Sequence, residues 1–213
     1  MGDCCDPIPY RRLFNTKQAD RYLRRFRRKG VDSRAADAIG YLARHGVAGA
    51  TVLEVGGGVG GVVLELLENG AGRAVSIDLS SAYEPAAARL AEERGFEDRI
   101  DRRVGDFVVE ADDVDPADVV FLNRVVCCYP HMPAMVSAAA TKADRFLAIV
   151  YPREHWWSKL SVGIGNAYLS VRRCDFKAFV HPVDGIHAVA AKSGLSPVHL
   201  THDLNWETAV FAR

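Results

Sequence analysis

Thr51-Val-Leu-Glu-Val-Gly-Gly-Gly-Val-Gly-Gly-Val-Val-Leu-Glu-Leu-Leu67 decides how this chain is read. Thr51–Val55 is rich in β-branched side chains and reads as a buried strand. A glycine turn follows, and from Gly61 the apolar spacing reads as the start of a helix. A strand that enters a helix through glycines leaves the helix's first backbone N–H groups free to meet a ligand. No Cβ blocks a close approach to the main chain. The stretch therefore predicts a site for a nucleoside-type cofactor.

Two cofactors compete for such a loop. Gly56-x-Gly58-x-x-Gly61 satisfies the dinucleotide fingerprint, and Asp78 follows at a suitable distance for a ribose hydroxyl. An NAD-dependent oxidoreductase is thus one reading. Glu54 discriminates. A carboxylate two residues before the first glycine repels a pyrophosphate and tolerates a cationic cofactor. The series Glu54-x-Gly56-x-Gly58-x-Gly60 resembles motif I of the class I S-adenosylmethionine (SAM) methyltransferases. That resemblance implies that Gly56, Gly58 and Gly60 pack against the methionine part and ribose of SAM. It also implies that Glu54 lies near the cofactor's ammonium group. Gly57 joins this set, although neither pattern needs a glycine there.

Periodicity extends the pattern. A helix capped at Thr16 or Asp20 is expected to run to about Lys29 and stop at Gly30. Asp32 or Ser33 begins a second helix that ends near Gly46. Strands and helices then alternate: strand 52–55, helix 61–69, strand 73–77, helix 82–94, strand 100–104, strand 118–122, helix 133–143 and strand 145–151. Residues 155–176 read as an irregular helix and 182–193 as another, before a terminal antiparallel pair over 196–204 and 207–212. Such alternation predicts an α/β, Rossmann-like, seven-stranded and mostly parallel sheet with helices on both faces. Residues 1–46 would form an N-terminal helical cap and 47–213 the SAM-binding core, in one compact domain.

Carboxylates recur at the strand ends in register. Glu54 closes the first strand, Asp78 the second and Asp106 the third. The family resemblance implies that Asp78, with Leu79 beside it, binds both ribose hydroxyls. A carboxylate suits a vicinal diol because it can accept two hydrogen bonds. It likewise implies that Asp106 meets the adenine amino group with Phe107 beside the ring. Asn123, at the end of the fourth strand, would lie beneath the transferable methyl. Each acid also has a plainer reading as a helix cap; three in register favour the cofactor.

Most of the chain also resembles one branch of this superfamily, the magnesium-protoporphyrin O-methyltransferases. The resemblance is carried by Leu13-Phe14-Asn15, by Tyr129-Pro130, by Phe179-Val-His181-Pro182 with Asp184-Gly185-Ile186, and by a Trp206-containing strand pair. It departs at two positions. Cys128 stands where that family has a histidine, and Phe26 where it has a tyrosine. The resemblance therefore implies architecture and a small-molecule acceptor, methylated at oxygen, rather than the porphyrin itself. His131, His181 and Tyr129 are the candidates for the catalytic groups, each set against a local structural role. Trp156 and Trp157 are candidates for walling an apolar acceptor site.

Composition bounds the alternatives. The chain has 213 residues, with 27 basic balancing 27 acidic ones, so net charge gives no general pull towards nucleic acid or membrane. The fourth-strand loop reads Asn123-Arg124-Val125 and lacks the motif of base N-methyltransferases, so no nucleic-acid partner is expected. No apolar run reaches the ~18 residues of a membrane span. The N-terminus lacks a basic region followed by an apolar one, which predicts no signal peptide and a cytoplasmic location. The basic helix, with Arg21, Arg24, Arg25, Arg27, Arg28 and Lys29, reads as a solvated face or as a peripheral contact for an anionic surface. Oligomeric state is not legible.

The five cysteines are expected to be reduced, and no metal cofactor is expected. Adjacent cysteines occur at Cys4-Cys5 and Cys127-Cys128. Folding of the N-terminus over the site would bring Cys4, Cys5 and Cys128 together as a soft-metal or arsenical cluster. That allows methyl transfer to sulfur or a soft element as an alternative, or a non-catalytic SAM- or metal-binding protein. Small buried thiols without metal are the plainer reading.

Overall fold

The computed structural model describes residues 12–213. Seven strands form one sheet: β1 (Thr51–Val55), β2 (Arg73–Asp78), β3 (Ile100–Val104), β4 (Ala117–Asn123), β5 (Ala143–Pro152), β6 (Ser196–His202) and β7 (Trp206–Ala212). Their order across the sheet is β3-β2-β1-β4-β5-β7-β6. The first five pair in parallel, and β7 runs antiparallel between β5 and β6. The sheet is thus Rossmann-like and mostly parallel. Its strand order reverses between β1 and β4, where ligands lodge beyond the strands' C-terminal ends.

The helices α1 (Thr16–Lys29), α2 (Ser33–His45), α3 (Gly61–Glu68), α4 (Glu84–Arg94), α5 (Met132–Lys142), α6 (Trp156–Val171) and α7 (Val183–Lys192) accompany it. Alternation along the strands feeds two cores, because successive side chains point to opposite faces. Leu53, Val55, Val120 and Leu122 join Met135, Val136, Ile186 and Ala190 on one face. Val52, Val119 and Phe121 join Ala38, Leu42, Val62 and Leu66 on the other. The central strands are buried on both faces, which is why they read as continuous apolar runs.

The two N-terminal helices play different parts. Helix α2 is capped by the Asp32 side chain, which accepts from the N–H groups of Arg34 and Ala35, and it packs on the sheet. Helix α1 is capped by Asn15, not by Thr16 or Asp20: Asn15 Oδ1 accepts from Gln18 N. Its buried residues Ala19, Leu23 and Phe26 pack beside Leu64, Tyr83 and Leu90, so α1 lies across the C-terminal edge of the sheet. Gly30 ends it with φ +66°, and Gly61 is pressed against the Phe26 ring, where a Cβ would come within 2.9 Å.

Leu42 is fully buried in the α2 core, away from the glycine turn. Leu42→Ala should destabilise the fold by about 2–5 kcal/mol through the lost apolar burial and the cavity left behind. Denaturant unfolding measures this; a loss below about 1 kcal/mol would show that α2 is not part of the cooperative core.

Candidate active site

A cavity of about 630 Å³ opens where the strand order reverses. Its wall is built from the ends of β1, β2, β3 and β4, from α1, and from one side of α6. Glu54, Gly56, Gly57, Gly58, Asp78, Leu79, Asp106, Phe107, Asn123, Cys128 and Tyr129 all line it. The strand ends converge there because parallel strands exit the sheet on one side.

The turn after β1 has three glycines in left-handed conformation: Gly56 at φ +69°, Gly58 at +55° and Gly60 at +77°. A side chain would be strained at each. Gly60 is the N-cap of α3 and supplies no side-chain acceptor, so the helix's first N–H groups stay unclaimed by a cap. Gly57 acquires a role here. A Cβ on it would lie 2.2 Å from Ser76 Oγ and 2.8 Å from Glu54 Oε2. The extra glycine makes room for the carboxylate behind the turn.

Glu54 itself is 2% exposed, and its Oε2 has no hydrogen-bond partner among the described residues. Burial pushes its carboxyl from the ordinary 4.5 to about 8; the Val63 N–H opposes this, and the Asp78 charge adds to it. Asp78 is held differently. Its Oδ2 accepts from Gly58 N at 2.8 Å and its Oδ1 from Ser80 N at 2.8 Å. Burial raises its pKa, and these two N–H groups counter the rise. The same carboxylate thus closes the glycine turn onto the β2 loop and keeps lone pairs for a ligand diol.

Asp106 accepts from Val108 N at 3.0 Å through Oδ1, while Oδ2 is buried without a partner. Asn123 donates from Nδ2 to Asp32 Oδ2 at 3.4 Å, and its Oδ1 is also unpartnered. Three buried acceptors without donors among the described residues, at or just past the ends of three strands around one cavity, call for explanation. N–H groups of a ligand would satisfy them. Tyr83, buried beside Gly58, also lines the wall, with its hydroxyl pKa raised by burial.

The expected catalytic histidines lie elsewhere. His131 is exposed and is not part of the cavity wall. His181 is outside it too: its Nε2 is 2.9 Å from the Tyr129 carbonyl, and burial lowers its pKa. It fixes the loop that carries Tyr129, whose side chain does line the cavity. Gly60 shapes the turn without lining the wall. Trp156 is 72% exposed, and Trp157 stacks on His155 at 4.3 Å. Helical rotation turns Ser158, Ser161 and Val162 of α6 into the cavity instead of the tryptophans.

Cys127 and Cys128 both line the wall, with sulfurs 3.8 Å apart and aimed at the Arg124 carbonyl. Their mutual hydrogen bond, aided by the Arg124 charge, lowers the Cys127 thiol pKa; the same bond and burial raise that of Cys128. Cys4 and Cys5 lie outside the described residues. Among the described residues no three potential ligands gather around a metal position.

Fold and site together define a class I SAM-dependent methyltransferase. Residues 23–200 match the family described as methyltransferase domain, and the chain belongs to that family. The dinucleotide reading of the glycine loop gives way to SAM, the methyl donor of this family. The fold is also that of magnesium protoporphyrin IX methyltransferase from Synechocystis PCC 6803 with bound S-adenosylhomocysteine (SAH). That structure gives a TM-score of 0.76 at 21% identity, covering 98% of this chain and 100% of the other. An O-methyltransferase family protein from Burkholderia thailandensis gives 0.65 at 18%, covering 84% and 56%. An O-methyltransferase family 2 protein from Planctomyces limnophilus in complex with apigenin gives 0.59 at 18%, covering 86% and 62%. At these identities the likeness concerns the fold. No curated protein matches the chain in sequence.

Two predictions follow from the geometry of the acids. Glu54 favours its neutral form in the folded chain. It therefore contributes stability that is complete below pH 4.5 and is lost as pH rises through about 8. A bound ammonium reverses that preference, so SAH binding at pH 7 should release up to about one proton. Calorimetric enthalpies should vary with the ionisation heat of the buffer, and Glu54→Gln should remove the variation. Equal enthalpies in all buffers would place the ammonium elsewhere. Asp78→Ala should weaken SAH binding by about 2 kcal/mol or more, since it removes a charged acceptor and loosens the Gly58 turn. Unaltered affinity would refute the ribose assignment.

Proposed function

We propose that this enzyme transfers the methyl group of SAM to an oxygen of a small-molecule acceptor. One observation carries the reading. Beside the acidic strand ends, the same cavity is lined by Tyr129, Pro152, Val162, Phe176, Phe179 and Trp206, with Ser158 and Ser161 of α6 among them. An apolar chamber with few polar groups is the usual form of a small-molecule site. The neighbours with porphyrin and apigenin in their names are compatible with an acceptor of that size.

Bound SAM supplies a methyl group made electrophilic by its sulfonium. The chain's own work is then to place the acceptor in line and to exclude water. Glu54, Gly56, Gly57, Gly58, Asp78, Leu79, Asp106, Phe107 and Asn123 hold the donor in this reading. In this reading Tyr129 touches the acceptor, and His181 positions it through the 2.9 Å contact to its carbonyl. A carboxylate acceptor oxygen needs no base, which suits a wall that contains neither His131 nor His181.

The test is methyl transfer from SAM carrying a labelled methyl group to a panel of carboxylates, phenols and thiols. Label in methyl esters or aryl methyl ethers is the expected result, told apart by the base lability of esters. Label confined to thioethers would favour the sulfur alternative offered by Cys127 and Cys128. SAH binding with no transfer to any class would favour a non-catalytic SAM-binding role. Tyr129→Phe should lower the rate on the preferred acceptor at least about tenfold, with SAH affinity unchanged.

A further inference from the structure

Arg124 is the residue that the donor site does not use. It follows β4 directly, beside Asn123, and lines the cavity. Its φ is +62°, a left-handed conformation that few non-glycine residues adopt. Its N–H is nevertheless held at 3.0 Å by the Val150 carbonyl, so the sheet fixes the residue in that state. Backbone strain of this kind, maintained by surrounding structure, is characteristic of residues that must point a side chain at a ligand.

The guanidinium lies over the Trp206 ring at 4.6 Å from its centre. A cation–π contact of this kind satisfies none of the N–H donors by hydrogen bonding. Nε is buried and has no acceptor. Among the described residues Arg124 forms no salt bridge, and its side chain donates no hydrogen bond. Two carboxylates of the wall already hold other donors. Asp78 accepts from Gly58 and Ser80, and Asp32 accepts from the first turn of α2 and from Asn123. A guanidinium on the cavity wall whose Nε has no acceptor among the described residues is complementary to a planar anion.

We propose that Arg124 is the anchor for a carboxylate, so that the acceptors of this enzyme are apolar or aromatic organic acids. The inference rests on the methyltransferase reading and names the substrate class for the same site. Arg124 is a specificity residue here. It selects acid over neutral isostere, and the surrounding apolar wall selects the carbon skeleton.

The experiment uses the full chain saturated with SAH and a panel of aromatic monocarboxylates of increasing size, from benzoate to anthracene-9-carboxylate, each paired with its carboxamide. Binding is followed by calorimetry for the wild type, Arg124→Gln and Arg124→Asn; asparagine is included because it tolerates left-handed φ. The best-bound acid should exceed its amide by at least about tenfold in the wild type, and the preference should vanish in both variants. SAH affinity should remain within about twofold, which also reports that the variants are folded. Absence of any acid preference in the wild type overturns the proposal, as does a preference that survives both substitutions. A loss of SAH affinity in both thermally stable variants also overturns it, because the guanidinium would then serve the donor's carboxylate. Failure of the wild type to bind SAH at all would instead overturn the methyltransferase reading, and so the two failures are distinguishable.

Discussion

One carboxylate ties the donor site together. Asp78 accepts a backbone N–H from the glycine turn and another from its own loop, each at 2.8 Å. Neither turn nor loop has regular structure of its own, and the turn is built on left-handed glycines. Without that clamp the first N–H groups of α3 and the end of β2 would be joined only through the strand pairing behind them. The fixed position of Asp78 in turn fixes where a hydroxyl-bearing group of a ligand can meet its free lone pairs. Gly57 adds the complementary constraint: it lets the turn lie directly on Ser76 and Glu54, where any side chain would collide. The site is therefore shaped from behind by packing and in front by hydrogen bonds.

The acids divide their work by environment. Asp78 keeps two N–H donors, whereas Glu54 and Asp106 each retain a buried oxygen with none among the described residues. Leaving such atoms unpaired costs free energy, and a ligand that pairs them recovers it on binding. In the proposed reading the beneficiary is a cationic, amine-bearing nucleoside. Directly after β4, Arg124 adds a positive charge to the same wall, its guanidinium over the Trp206 ring.

Much of this was legible in the sequence because it depends on local patterns. The strand–glycine–helix unit appears where Thr51–Leu67 places it, and the strand-end acids converge because a parallel sheet brings its C-terminal ends together. Most boundaries moved by a residue or two, but the helix expected over 155–176 ends five residues early, at Val171. The cap of α1 passed to Asn15, whose side chain reaches Gln18 N; the pattern could not choose among neighbouring polar residues. What depends on long-range packing was not legible. The need for Gly57 comes from Ser76 on the next strand. The exclusion of His181 from the cavity comes from a contact with the Tyr129 carbonyl, 52 residues away in sequence. Trp156 and Trp157 look like wall residues by composition, but the rotation of α6 turns serines inward instead. Arg124 could have been noticed as a bulky charge where a strand exits, but its strained φ and unpaired Nε are tertiary facts.

The central claim is that this cavity binds the SAM class of donor and not a dinucleotide. Calorimetric titration of the full chain with SAH, with NAD run in parallel, tests it most directly. The account predicts saturable SAH binding near micromolar affinity and no heat with NAD. Binding of NAD with none of SAH would contradict it, because the carboxylate of Glu54 would then have been assigned the wrong partner.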